Sequence, residues 1–362
     1  MIMIPRKITK KFLEILSLYP VVTILGPRQS GKTTFARNTL PQYAYANLEN
    51  PEIRELAQTD PKAFLEAYPA PAIFDEIQRV PELLSWIQVK VDESPLKGQY
   101  VLTGSNQILL SESISQSLAG RTSILHLLPL SWEELDLAGY PIDKNTALVK
   151  GFLPRVWKDD LPPTRTYLDY FATYVERDVK QIMNIKNHAK FELFLKLLAG
   201  RVGQLINLHT LSSDVGVSSV TLAEWISVLE QSFIIFKLQP FYKNIGKRLV
   251  KSPKIYFYEP GLVAALLQIE SPEQAARDPL MGNIFENLVV VELLKGQKNR
   301  DVFGNWSFFR DNSGHEIDVV WERSGKMDAI EIKAGQTWTS EWNKHLDWFS
   351  SLFAEPISPW IV

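Results

Sequence analysis

The run Gly26-Pro27-Arg28-Gln29-Ser30-Gly31-Lys32-Thr33 matches G-x-x-x-x-G-K-T in full. No other stretch constrains the fold as tightly, because this pattern works only as a turn between a buried strand and a helix. The flanks meet that demand. Val21-Val22-Thr23-Ile24-Leu25 is an apolar run that predicts a buried parallel strand, and Thr34-Phe35-Ala36-Arg37 leads out as a helix. Backbone N–H groups of such a loop, from Gly26 to Thr34, cradle the β-phosphate of ATP at the helix N-terminus. Lys32 is expected to neutralise the β/γ oxygens, and the Thr33 hydroxyl to hold Mg²⁺.

A second half-site follows. Ala72-Ile73-Phe74-Asp75-Glu76 is an apolar strand ending in two carboxylates, a Walker B pattern. Asp75 is expected to bind Mg²⁺ through water, and Glu76 to orient and deprotonate the attacking water. A third strand, Gln99-Tyr100-Val101-Leu102-Thr103, ends in Gly104-Ser105-Asn106. A polar residue there can touch the γ-phosphate or the water. Asn106 and Ser105 both fit that catalytic contact, and a turn or helix cap fits either of them as well.

Strands and helices alternate from Val21 to about Leu128, as a doubly wound parallel sheet requires. Pro81–Asp92 and Gln107–Leu118 predict helices, and Ser131-Trp132-Glu133-Glu134 is a capping box. Gly151 to Pro163 carries three prolines and predicts a linker; a long amphipathic helix is expected over Thr164–Met183. The next unit has a different rhythm. Phe191–Arg201 is helical, a short helix spans about Thr210–Val215, and after Gly216 a helix capped by Ser218 runs to about Gln231. Two strands follow, Phe233–Leu238 and Lys254–Tyr258. Helix, turn, helix and hairpin make a winged helix-turn-helix. From Lys237 to Lys254 there are six basic residues and no acid (Lys237, Lys243, Lys247, Arg248, Lys251, Lys254), whereas the second helix carries Glu224 and Glu230 and no Lys or Arg. If this module touches DNA, the wing does so through phosphates, without base readout. A packing domain with a solvated basic hairpin fits the same pattern.

At 362 residues the chain has room for two or three domains. A net charge of −2 gives no overall pull toward nucleic acid or membrane, so any such contact must come from a local patch. The absence of cysteine excludes disulfides, Cys-ligated zinc and a thiol nucleophile, and it fits a cytoplasmic location. Arg6, Lys7, Lys10 and Lys11 precede an apolar stretch, but Glu14 and Pro20 interrupt it, which predicts a helix rather than a secretory signal. No segment has the roughly eighteen uninterrupted apolar residues of a membrane span.

The end of the chain holds another chemical pattern. Glu286 lies on a predicted helix, Asn283–Leu294, and shares its face with Val290 and Leu293. Glu316–Trp321 is an alternating strand, Ser324-Gly325 marks a hairpin turn, and Ala329-Ile330-Glu331-Ile332-Lys333 returns. Alternation puts Glu331 and Lys333 on one face. With Ser324 and Gly325 as the two turn residues, Asp318 falls opposite Glu331. Carboxylates brought together in this way repel, and a divalent cation relieves the conflict. Glu286, Asp318 and Glu331 are therefore the expected ligands for Mg²⁺ or Mn²⁺, with Lys333 positioning a water for phosphodiester cleavage. Glu, Asp and Glu-x-Lys in this order is the pattern of PD-(D/E)xK nucleases. A solvated strand, or a degenerate nuclease fold kept for packing, fits it too.

With these residues in view, the chain resembles a family of bacterial and archaeal AAA+-like ATPases whose C-terminal half carries the domain of unknown function 4143. The resemblance rests on Gly26–Thr33, Asn47-Leu48-Glu49, Phe74-Asp75-Glu76, Leu102–Asn106 and Leu118-Ala119-Gly120-Arg121. It continues through Tyr174–Val179, Gly282–Glu286, Glu316-Ile317-Asp318 and Glu331-Ile332-Lys333. It implies an α/β chain with a doubly wound P-loop ATPase domain (1–150), a linker and long helix (151–185), a winged helix-turn-helix (186–258) and an α/β nuclease-like domain (259–362). Relatives continue into a further strand, of which Trp360-Ile361-Val362 looks like a shortened copy. Arg121 resembles an arginine finger or sensor, and a structural salt bridge is its other reading. The expected function is an ATP-hydrolysing switch or motor on nucleic acid, with a homo-oligomer or protein partner. The rival is an ATP-gated regulatory DNA- or protein-binding module without nuclease chemistry.

Overall fold

The computed structural model describes residues 4–105, 117–174, 187–241, 250–335 and 337–362. Asn106, most of the helix expected over Gln107–Leu118, the second half of that expected over Thr164–Met183, and Lys243, Lys247 and Arg248 lie outside the described residues.

The first sheet has five strands: β1 (Val21–Leu25), β2 (Ala44–Asn47), β3 (Ala72–Asp75), β4 (Tyr100–Gly104) and β5 (Thr122–His126). Their spatial order is β2-β3-β4-β1-β5, and every pair is parallel. All five residues of β1 are buried, because helices cover both faces of a parallel sheet. Leu25, Phe74 and Leu102 pack on one face, and Ile24, Ile73 and Val101 on the other. Each such side chain contributes roughly 1.5–3 kcal/mol of burial. Since β1 sits between two strands that do not follow it in sequence, the turn at its carboxyl end opens into a crevice where ligands bind α/β sheets.

Gly151–Pro163 is not an exposed linker. Phe152, Leu153, Val156 and Trp157 are buried in the core cluster of the helical middle of the chain. Pro154 and Pro163 stand at the first turns of helices Pro154–Lys158 and Pro163–Tyr170, where proline costs no hydrogen bond. The paired helices of the middle unit span Leu208–Val215 and Ser219–Gln231. Between them Gly216 takes a left-handed φ of 71°, and the Ser218 side chain accepts from Thr221 N–H as the cap.

The second sheet has six strands: β6 (Ile235–Pro240), β7 (Lys254–Phe257), β8 (Asn305–Arg310), β9 (Glu316–Arg323), β10 (Lys326–Glu331) and β11 (Ile357–Ile361). Their order is β11-β10-β9-β8-β6-β7. The β6–β7 hairpin, expected to stand as the wing of a separate module, therefore joins the C-terminal sheet through a parallel β6–β8 contact at Gln239–Ser307 and Pro240–Phe308. The β9–β10 turn follows the expected register. Ser324 and Gly325 both have positive φ, 47° and 78°, as a two-residue hairpin turn demands. Arg323 pairs with Lys326, Val319 pairs with Ile330, and Ile332 N–H donates to the Asp318 carboxylate at 2.8 Å.

One irregularity escapes the alternation rule. Against β8, Ser307 pairs with Val320 but Phe309 pairs with Ile317, so β9 carries one extra residue between them. Such a bulge re-aims side chains and recurs beside functional sites. Here it falls at Asp318 and Val319.

Candidate functional site

At the carboxyl edge of the first sheet the P-loop is shaped by two glycines. A Cβ on Gly26 would lie 2.1 Å from the Leu127 carbonyl oxygen, and Gly31 adopts a φ of +90° that side chains disfavour. Lys32 is buried at the start of helix Lys32–Thr39, and its ammonium donates to the carbonyls of Gly26 (2.9 Å) and Pro27 (2.7 Å). Burial pulls this lysine down to about 8, partly offset by the carboxylates of Glu76 and Asp75. The Ser30 hydroxyl is buried without a hydrogen-bond partner. A buried cation and an unsatisfied hydroxyl in one glycine-bounded loop suit a phosphate.

Asp75 and Glu76 close the site from β3. The Thr33 hydroxyl lies 2.9 Å and 3.0 Å from the two Asp75 carboxylate oxygens and donates to them. Tyr45 donates to the same carboxylate at 3.1 Å, and Thr103 does so from β4. Glu76 has left-handed backbone angles, φ 57° and ψ 47°, a conformation that costs about 1–3 kcal/mol and clusters at active sites. Its carboxylate accepts from Gln78 and, at 3.1 Å, from Ser105. Of the two polar residues expected after β4, Ser105 thus touches the Glu76 carboxylate.

Some residues here had no local signal. Arg6 donates to the carbonyls of Ser30 (2.9 Å) and Leu128 (2.6 Å) and pairs with buried Glu134 at 3.1 Å, so it braces the P-loop from the N-terminal segment. A cavity of about 1320 Å³ opens over the loop. Arg6, Gln29, Lys32 and Thr33 line it together with Pro154, Arg155, Lys158 and Tyr174 of the following helices. Arg28 sits beside Tyr174, 5.2 Å from the ring centroid. Arg121 does not join this group. Its guanidinium makes a two-point ion pair with Asp92 (2.6 and 2.8 Å). Its carbonyl accepts from Val21 N–H, at the opposite end of β1 from the P-loop. Within one chain the salt-bridge reading of Arg121 is the observed one.

The C-terminal carboxylates do come together, but around a lysine. Lys254 is 2% exposed. Its ammonium lies 2.9 Å from Glu286, 2.7 Å from Glu316 and 3.8 Å from Asp318. Tyr256 donates to Glu286 at 2.5 Å, and Lys333 pairs with Glu331 at 2.6 Å. Lys254, Glu286, Glu316, Asp318, Glu331 and Lys333 line a cavity of about 580 Å³. Burial pulls Lys254 down, but Glu286, Asp318 and Glu316 outweigh it and hold the lysine above its ordinary value. Burial pushes Glu286 up to about 7, with Lys254 opposing and Asp318 adding to the rise. Burial and Asp318 likewise push Glu331 up to about 7, against Lys333. Among the described residues no group of three or more His, Asp or Glu side chains is arranged to hold a metal ion. Glu286, Asp318 and Glu331 as placed do not fit the expected Mg²⁺ or Mn²⁺.

A pH dependence follows. Glu286 and Glu331 hold protons more tightly folded than unfolded. Their contribution to stability is complete below the ordinary carboxyl pKa and is lost as pH rises through about 7. Thermal melting is expected at lower temperature at about pH 8 than at about pH 5.5, each group accounting for on the order of 2 kcal/mol. Glu331→Gln should flatten part of that fall; an unchanged slope would show that Glu331 titrates normally.

Three stretches of the chain match known families. Residues 18–136 match the AAA domain family, residues 143–273 the domain of unknown function DUF8612 and residues 281–362 the domain of unknown function DUF4143. An uncharacterised protein of Mycobacterium tuberculosis is 29% identical over 322 residues, covering 88% of this chain and 71% of that protein. One from Haemophilus influenzae is 28% identical over 348 residues, covering 86% of this chain and 78% of that protein. Among solved structures, the Walker-type ATPase PABY2304 of Pyrococcus abyssi superposes with a TM-score of 0.48 at 14% identity, over 72% of this chain and 94% of that one. AMPPCP-bound DnaA of Aquifex aeolicus gives 0.28 at 15% identity, over 62% and 86%. No helix among the described residues is long and apolar enough to cross a membrane.

Proposed function

We propose that this chain, a P-loop ATPase with an AAA domain and a C-terminal DUF4143 domain, is an ATP-driven switch that acts on nucleic acid. The observation that carries the reading is the shared lining of the cavity over the P-loop. A polyanionic triphosphate on the P-loop faces Arg155 and Lys158, two cations of the next unit, at the same opening. Arg155 pairs with Asp159 at 3.2 Å on the surface, a contact weak enough for a phosphate to replace. Thr33 and Asp75 offer hard oxygen ligands that would hold Mg²⁺, which supplies charge neutralisation when bound with the nucleotide.

Contacts lead onward from that lining. Phe152 N–H, just before the Pro154–Lys158 helix, donates at 2.8 Å to Glu259, which is buried and caps helix Pro260–Leu266 directly after β7. A movement of Pro154–Lys158 with nucleotide state is thereby passed toward the β6–β7 hairpin. The hairpin and the paired helices are what nucleic acid would meet. Lys237 and Lys254 do not take part, since Lys237 pairs with Glu230 at 2.8 Å and Lys254 is buried. Lys243, Lys247, Arg248 and Lys251 remain as phosphate contacts, and helix Ser219–Gln231, without Lys or Arg, supplies no base-reading cation.

Gel-shift titration of short duplexes at low salt, with ATP, ADP or neither, tests the switch. Affinity is expected to differ at least fivefold between ATP and ADP, a coupling of about 1 kcal/mol. Charge reversal at Lys247 and Arg248 should weaken binding alike across sequences and lower the salt slope by about 1 for each phosphate no longer neutralised. Binding that is absent at low salt, or indifferent to nucleotide, would remove nucleic acid from the reading.

A further inference from the structure

The PD-(D/E)xK-like pattern calls for a divalent cation between its carboxylates, and the chain already supplies a cation there. Glu286 comes from helix Met281–Arg300, Glu316 and Asp318 from β9, and Lys254 from the first position of β7. The ammonium donates to Glu286 and Glu316 and lies within ion-pair distance of Asp318. It also stands 5.6 Å from the Phe308 ring centroid, a further site of attraction for positive charge. Mg²⁺ or Mn²⁺ ligated by these oxygens at about 2.0–2.2 Å would occupy the space the nitrogen fills. Nor is the lysine on a loose end. Its backbone pairs with Leu238 of β6 on one side and bridges to Leu205 on the other.

We propose that Lys254 takes the place of the metal: the C-terminal cluster is an ion-paired joint that ties the β6–β7 hairpin to helix Met281–Arg300 and to the β9 bulge, and it binds no divalent cation. One buried ammonium facing three carboxylates leaves surplus negative charge. Arg310, 3.3 Å from Glu316, offsets part of it, and Lys333 pairs with the neighbouring Glu331 at 2.6 Å. The bulge has a role in this arrangement. The extra residue in β9 falls at Asp318, beside the register point where Asp318 also accepts from Ile332 N–H and so anchors β10.

The proposal makes a gain-of-binding prediction. In the nucleotide-free full chain at about pH 8, where the carboxylates are ionised, Mn²⁺ should leave the melting temperature unchanged. Electron paramagnetic resonance should find no Mn²⁺ uptake that Asp318→Asn removes. Lys254→Met leaves the carboxylates facing one another, and its melting temperature in EDTA should fall by roughly 10 °C. Excess Mn²⁺ should restore most of that loss, and Lys254→Met combined with Asp318→Asn should regain none of it. Saturable uptake by the wild type that Asp318→Asn abolishes would overturn the proposal. So would a folded Lys254→Met that takes up no Mn²⁺, since the cluster would then not be a metal-shaped cradle. Should Lys254→Met fail to fold, the comparison of wild type with Asp318→Asn still decides. With no nucleotide present, the result is independent of whether ATP drives a switch.

Discussion

Lys32→Ala is expected to lower Mg·ATP affinity by about 100-fold, since a charge-assisted phosphate contact is worth roughly 3 kcal/mol in a buried site. The ammonium is buried and already turned across the loop onto the carbonyls of Gly26 and Pro27, so little reorganisation precedes phosphate binding. The same burial gives the wild type a pH signature. With Lys32 held near 8, the free protein loses the proton as pH rises through that value, while bound phosphate retains it. Affinity should therefore fall about tenfold per pH unit above the transition, and the alanine variant should show no such fall. Equilibrium titration with a fluorescent ATP analogue reads both effects. Equal affinity in the two proteins would mean that nucleotide binds elsewhere.

The parts of this molecule legible in its sequence are those fixed by local geometry. Gly26–Thr33 between an apolar strand and a helix leaves one arrangement. The Ser324-Gly325 turn sets the pairing of Val319 with Ile330 and so carries Asp318 to the end of β10, where it accepts from Ile332 N–H, because a two-residue hairpin sets register by counting. Ser218 and Gly216 mark their helix boundaries by capping chemistry. What stayed hidden depends on long-range pairing. Lys254 belongs, by sequence, to a run of basic residues on a solvated wing. It is buried because β6 pairs with β8 and carries β7 over helix Met281–Arg300, and no pattern within the hairpin announces that contact. Arg6 reaches Ser30, Leu128 and Glu134 from the N-terminal segment, again without local signal. The Gly151–Pro163 stretch misleads for another reason. Its prolines suggest a linker, yet they are placed at helix starts, and the signal that outweighs them is apolar: Phe152, Leu153, Val156 and Trp157 recur at helical spacing.

The division of labour between Asp75 and Glu76 predicts opposite outcomes for neighbouring substitutions. Asp75 is held by Thr33, Tyr45 and Thr103, the hydroxyl cluster through which Mg²⁺ would be bound, so Asp75→Asn should weaken Mg·ATP binding along with turnover. The Glu76 carboxylate pairs with none of these hydroxyls, and only its backbone N–H reaches Thr103, at 3.4 Å. It is turned by its left-handed backbone toward Gln78 and Ser105, where a carboxylate can accept a proton from water. Glu76→Gln keeps the shape and can still accept from Ser105, so ATP should bind as before while hydrolysis falls about 10²–10⁴-fold. The ATP-bound state is then trapped. If ATP is a switch, Glu76→Gln and Lys32→Ala should hold opposite states, with different mobility in gel shifts on duplex DNA and different mass by light scattering. Hydrolysis by Glu76→Gln at the wild-type rate would remove the glutamate from the chemistry. A variant dead in hydrolysis that behaves like Lys32→Ala in both assays would keep Glu76 as the base and discard the switch, because two nucleotide states that bind and assemble alike carry no coupling free energy.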